Sequence, residues 1–82
     1  SATLFPNPTT GNSLLSLELE QAGFLDIRVI DPSGRLVEQR KVAANAGAFR
    51  YTMASQALAE GHYTIQVEGA GLFDTVSWLV VR

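Results

Sequence analysis

The chain of 82 residues has no cysteine. Disulfides and thiolate metal sites are therefore excluded, and stability has to come from the packed core. There is one histidine, His62, and one tryptophan, Trp78. His62 falls on the polar side of an alternating run, where a lone histidine makes a poor metal site. No stretch approaches the roughly 20 apolar residues of a membrane-spanning helix, and no signal peptide is visible. The chain starts at Ser1 rather than Met, as expected of a fragment or processed product whose export signal lies upstream. Basic residues are few and scattered: Arg28, Arg35, Arg40, Lys41, Arg50 and Arg82, for a net charge of −2. Without a basic stripe to neutralise phosphates, nucleic acid is not an expected partner. There is no Gly-x-Ser-x-Gly elbow. Gly69-Ala70-Gly71 is not followed by the helix a phosphate cradle needs. Asp31 has a turn role that accounts for it without calcium. A chain this short rarely supplies the cleft that paired glycosidase carboxylates require. The expectation is a protein that is not an enzyme and takes no cofactor.

What is present is a globular composition, 46% hydrophobic and 17% charged, long enough for one domain over residues 1–82. The clearest stretch is Gly61-His62-Tyr63-Thr64-Ile65-Gln66-Val67-Glu68. Tyr63, Ile65 and Val67 alternate with polar residues, the period of a half-buried strand. Leu58-Ala59-Glu60-Gly61 feeds it through a tight reversal. Leu4-Phe5 opens the chain as a short strand. Pro6 and Pro8 stiffen the following bend, which Gly11 completes. Residues 14–19 and 24–30 alternate cleanly. Asp31-Pro32-Ser33-Gly34 is a type I turn signature, with Asp first, Pro second and Gly fourth. It joins 24–30 to a strand over 35–43, whose charged Glu38-Gln39-Arg40-Lys41 suits a sheet edge. Phe49, Tyr51 and Met53 mark another strand, and residues 54–59 suggest one helical turn. Residues 72–81 close the chain. Seven short strands with turns about every ten residues give an all-β, seven-stranded antiparallel Ig-like β-sandwich. The closing strand is apolar on both faces, with Val76, Trp78 and Val80 on one and Leu79 and Val81 on the other. It is expected either to pack under a loop or to serve as a contact surface.

Four pieces then line up in order: Leu4-Phe5-Pro6-Asn7-Pro8-Thr9-Thr10-Gly11; Val29-Ile30-Asp31-Pro32-Ser33-Gly34-Arg35-Leu36-Val37; Leu58-Ala59-Glu60-Gly61-His62-Tyr63; and Leu79-Val80-Val81-Arg82. Together, over the whole chain, they resemble the type A C-terminal sorting domain of the type IX secretion system of Bacteroidetes. The resemblance implies a non-catalytic address at the end of a larger exported protein. Its implied partners are the outer-membrane translocon, an outer-membrane shuttle protein and a sortase-like surface protease. Its implied route is through the periplasm to the cell surface or beyond. Gly34, Arg35, Gly61 and Tyr63 match the family's turn and reversal. Pro6, Asn7, Pro8, Gly11 and Asp31 complete its motifs. The family usually carries a lysine before its terminal apolar residues, where this chain has Trp78, preceded by Ser77.

The expected recognition residues are Gly34, Arg35, Trp78, Leu79, Val80, Val81 and Arg82. Arg35, beside a tight turn, is placed to cap carbonyls or meet a carboxylate. Trp78 is placed either to anchor a partner or to fill a local groove. An edge strand also leaves self-association open. Two rival readings remain at this point: a carbohydrate-binding accessory module, for which Trp78 is the one obvious exposed aromatic candidate, and a structural spacer.

Overall fold

The computed structural model describes residues 2–82. Seven strands follow in order: β1 (Thr3–Phe5), β2 (Ser13–Leu19), β3 (Gly23–Ile30), β4 (Leu36–Ala44), β5 (Gly47–Met53), β6 (Gly61–Gly69) and β7 (Leu72–Val80). They form two antiparallel sheets, β1-β2-β5 and β4-β3-β6-β7. This is an Ig-like sandwich in which the fourth strand joins the second sheet rather than the first. The stretch 54–59 is not helical. A single bond from Leu58 N–H to the Ser55 carbonyl, at 3.0 Å, closes it as a turn.

Alternation sets the layers. Leu15, Leu17 and Leu19 of β2 face Leu25, Ile27 and Val29 of β3 and Tyr63, Ile65 and Val67 of β6 across the core. Each such side chain stabilises the fold by about 1.5–3 kcal/mol relative to exposure. Trp78 is the largest fully buried side chain. Its ring lies 6.5 Å from that of Tyr63, and its indole N–H donates to Ser13 Oγ at 3.0 Å. Buried indole N–H groups need such a partner.

The charged strand β4 is a sheet edge, as its composition suggests. Val29 pairs with Glu38 but Ile30 with Leu36, so Val37 is an extra residue that bulges β4. The other edge of that sheet, β7, lies against β1. β4 and β5 share the opposite side of the sandwich, where Ile27, Glu38, Arg40, Tyr51 and Met53 line a cleft of about 80 Å3.

Candidate functional site at one pole of the sandwich

The antiparallel pairings bring the ends of β1, β3, β5 and β7 and the starts of β2, β4 and β6 to one pole. All four motif pieces meet there. The sequence separates them by up to about seventy positions, and the fold makes them neighbours.

The first and last pieces are tied directly. Asn7 donates from its amide nitrogen to the Ser77 carbonyl at 2.7 Å and accepts from Leu79 N–H at 2.9 Å. Thr9 N–H donates to the Leu79 carbonyl, and Val81 N–H to the Thr9 carbonyl, at 2.9 and 2.8 Å. Thr9 and Val80 thus form a parallel bridge. Residues 7–9 cover the end of the β7 edge as a short added strand would. Pro6 and Pro8, which follow cis peptide bonds, flank the clamping Asn7. The Pro6 carbonyl accepts from Ser13 Oγ at 2.7 Å, the same hydroxyl that accepts from Trp78. The Gly11 carbonyl accepts from Ser55 Oγ at 2.5 Å.

Arg82 completes the tie. Its guanidinium donates to the carbonyls of Ser55, Leu58 and Thr10, and its backbone N–H donates to a Glu60 carboxylate oxygen at 3.0 Å. A planar fork of five donors suits several carbonyls at once. Tyr63 donates its hydroxyl to the Ala59 carbonyl, four residues upstream, at 2.7 Å. This is the tyrosine corner of Ig-like folds, at the start of the sixth strand. Gly61 lies close against Pro32, so the reversal packs on the Asp31 turn.

In that turn Gly34 N–H donates to the Asp31 carbonyl at 2.9 Å, and Gly34 takes φ of 89°, which favours glycine. The Asp31 carboxylate accepts from Ser33 N–H, Ser33 Oγ and Arg35 N–H at 3.0, 2.7 and 2.9 Å. The Ser33 hydroxyl above all, then the Arg35 backbone N–H, hold the Asp31 carboxyl below the usual carboxylate range. The Arg35 guanidinium meets Asp31 Oδ2 at 3.2 Å and is otherwise exposed. Between this turn and residues 57–63 lies a groove of about 430 Å3, bordered by Arg35, Val37, Glu60 and Tyr63.

The recognition residues divide by exposure. Gly34, Arg35 and Arg82 are exposed, and Leu79 and Val81 are half-buried. Trp78 and Val80 are fully buried. Of the two roles open to Trp78, filling space in the core is the one the folded chain gives it. It is therefore not the exposed aromatic that a carbohydrate-binding module would use. The reason is parity: Trp78 is inward with Val76 and Val80, and Ser13 offers its N–H an acceptor. The second apolar face of β7 is only half covered, and residues 7–9 lie against its edge. Sequence reasoning passed over Phe5, which is 79% exposed at this pole beside Leu14. Alternation within β1, with Leu4 inward, was the available signal.

A family model, described as the secretion system C-terminal sorting domain, matches residues 3–82. The chain belongs to this family. No curated protein and no solved structure matches it. As a type IX sorting domain it marks a secreted protein bound for the cell surface or the medium, and it engages the secretion machinery. No helix among the described residues is long and apolar enough to cross a membrane.

Proposed function

We propose that residues 1–82 form a single, non-catalytic domain that serves as the C-terminal address of a larger cargo. In this reading the domain folds in the periplasm and is taken through the outer-membrane translocon. An outer-membrane shuttle protein receives it, and a sortase-like surface protease removes it. The observation that supports this most is the gathering of all four motif pieces at one pole in a chain that belongs to the sorting family. A machine that handles many cargoes needs one feature common to them, and a pole of fixed backbone shape supplies it. Of the expected recognition residues, Gly34, Arg35, Leu79, Val81 and Arg82 are those that a partner can reach in the folded domain. Trp78 and Val80 support that surface from beneath.

The test is a secretion assay. Residues 1–82 follow a signal peptide and a fluorescent reporter, in a host with a working type IX system and in a translocon-deficient strain. Reporter on the surface or in the medium of the competent strain alone is the expected result. Removing Leu79–Arg82 is expected to abolish it. Folded reporter trapped in the periplasm of both strains would sink the reading.

A further inference from the structure

The two sheets have four edges, and three of them are guarded. β1 is three residues long and runs into Pro6. The end of β7 is covered by residues 7–9, and further along it carries a charge, Asp74, whose carboxylate accepts from Ala2 N–H and from Thr75 N–H. β4 carries the Val37 bulge and turns Glu38 and Arg40 toward the sandwich interior, opposite Val29 and Ile27. Short length, proline, bulges and inward charges are the devices that stop an edge from pairing with another chain.

β5 has none of these. It runs seven residues, Gly47–Met53, in unbroken register with β2. It contains no proline and a single charge. Phe49 and Tyr51 point inward and stack at 6.4 Å, yet both stay only half-buried, because their side of the sandwich is open. Arg50 points outward, is exposed, and joins none of the ion pairs among the described residues.

We propose that the free edge of β5 is where a partner protein of the secretion machinery adds an extended strand. That strand places apolar side chains beside Phe49 and Tyr51 and an acidic one opposite Arg50. Main-chain hydrogen bonds supply affinity in such an addition, and alternate side chains supply selectivity. A second copy is the poorer occupant. Antiparallel pairing of two β5 strands at full overlap sets Arg50 against Arg50, and like charges directly opposite are destabilising. The proposal rests on the sorting reading.

The experiment uses the reporter fusion with Arg50→Glu, Arg50→Lys and Ala48→Pro, alongside melting temperatures of the 82-residue chains. Arg50→Glu is expected to lower surface reporter about ten-fold or more, as losing one close charge pair does. Arg50→Lys is expected to keep most of it. Both melting temperatures should stay within about 2 °C of the parent, since the site is exposed. Ala48→Pro tests the backbone if it melts as the parent does. If it does not, Arg50→Glu decides alone. Parent secreted and Arg50→Glu secreted equally overturns the β5 assignment and spares the sorting reading. Parent trapped in the competent strain overturns both. A dimer of the parent in sedimentation that Ala48→Pro dissolves without lowering the melting temperature overturns the choice of partner and makes a second copy the occupant.

Discussion

The two poles of the sandwich turn the chain by different means. At the far pole the backbone does it. Gly47, Gly69, Ala70 and Gly71 all take positive φ, and Ala70-Gly71 makes the two-residue loop between β6 and β7. At the motif pole Gly34 alone takes positive φ among the described residues, and side chains do most of it. Asn7, Ser13, Ser55 and Arg82 each bond a backbone group of another segment, and Asp31 and Tyr63 fix the backbone of their own turns. A glycine turn specifies a bend and little else. A side chain that bonds a distant carbonyl also specifies which segment lies beside it. The motif pole is therefore the end whose surface shape depends more on residue identity, as the proposed address requires.

The strongest break in the comparison is Trp78→Ala. It empties the largest buried side chain and leaves Ser13 without its indole donor. Such truncations cost about 3–5 kcal/mol. Small domains have on the order of 5 kcal/mol in all. The variant is expected to retain about 2 kcal/mol or less, seen as a urea transition moved to low denaturant or lost. It should lower secretion through the fold, so it cannot by itself count as loss of a contact.

Next comes Gly69→Ala at the far pole. Gly69 sits at φ 132°, and an added Cβ would collide with the Phe24 carbonyl oxygen. The expected loss is about 1–3 kcal/mol by urea denaturation, the range for a strained backbone position. Secretion of the molecules that remain folded should be normal, because nothing at the motif pole has changed. A folded variant that fails to be secreted would break the comparison.

Asn7→Ala reverses that pattern. It removes two exposed hydrogen bonds to β7, worth about 1 kcal/mol each at most. Global stability should fall little. Limited proteolysis should instead begin cutting at Leu79–Arg82, and secretion should fall more than stability does. Equal falls in both would mean that the clamp is only structural.

The fold was legible because its signals are local. Alternation in 14–19, 24–30 and 61–68 and the Asp31-Pro32-Ser33-Gly34 turn each fix their own backbone. The pole was legible only in part. The motif residues can be read in order, but nothing local in Asn7 says that its amide will grip Ser77 and Leu79. Nor does Arg82 announce the Ser55 and Leu58 carbonyls. These are contacts across most of the chain, set by which strands end at the same pole. Trp78 shows the same limit. Its parity with Val76 and Val80 was visible, but the acceptor for its indole N–H, Ser13, lies 65 positions away.

Ala70→Asn sharpens the far side. Ala70 is an alanine at φ 51° followed by Gly71. Asn-Gly is the pairing that two-residue loops of this hand prefer, and asparagine tolerates the left-handed region better than alanine. The variant should gain about 0.5–1 kcal/mol by relief of that strain, read as a higher urea midpoint, with secretion unchanged.

The smallest effect is at the motif pole and depends on pH. The Asp31 carboxyl is held below its ordinary value of 3.8 in the folded chain, chiefly by the Ser33 hydroxyl. A lowered folded pKa stabilises the fold fully above the unfolded value and is lost as pH falls through the folded one. The contribution should therefore be constant from neutral pH to about pH 5 and fade below pH 4. Asp31→Asn should melt slightly below the parent at pH 7, and the two curves should converge as pH drops toward 2. Convergence is the informative part, because loss of turn shape alone would leave a gap at every pH. A gap that persists at pH 2 would mean that Asp31 acts through the geometry of the Gly34 turn. A gap that closes would show the carboxylate charge, and not just its oxygen positions, holding the turn that presents Arg35.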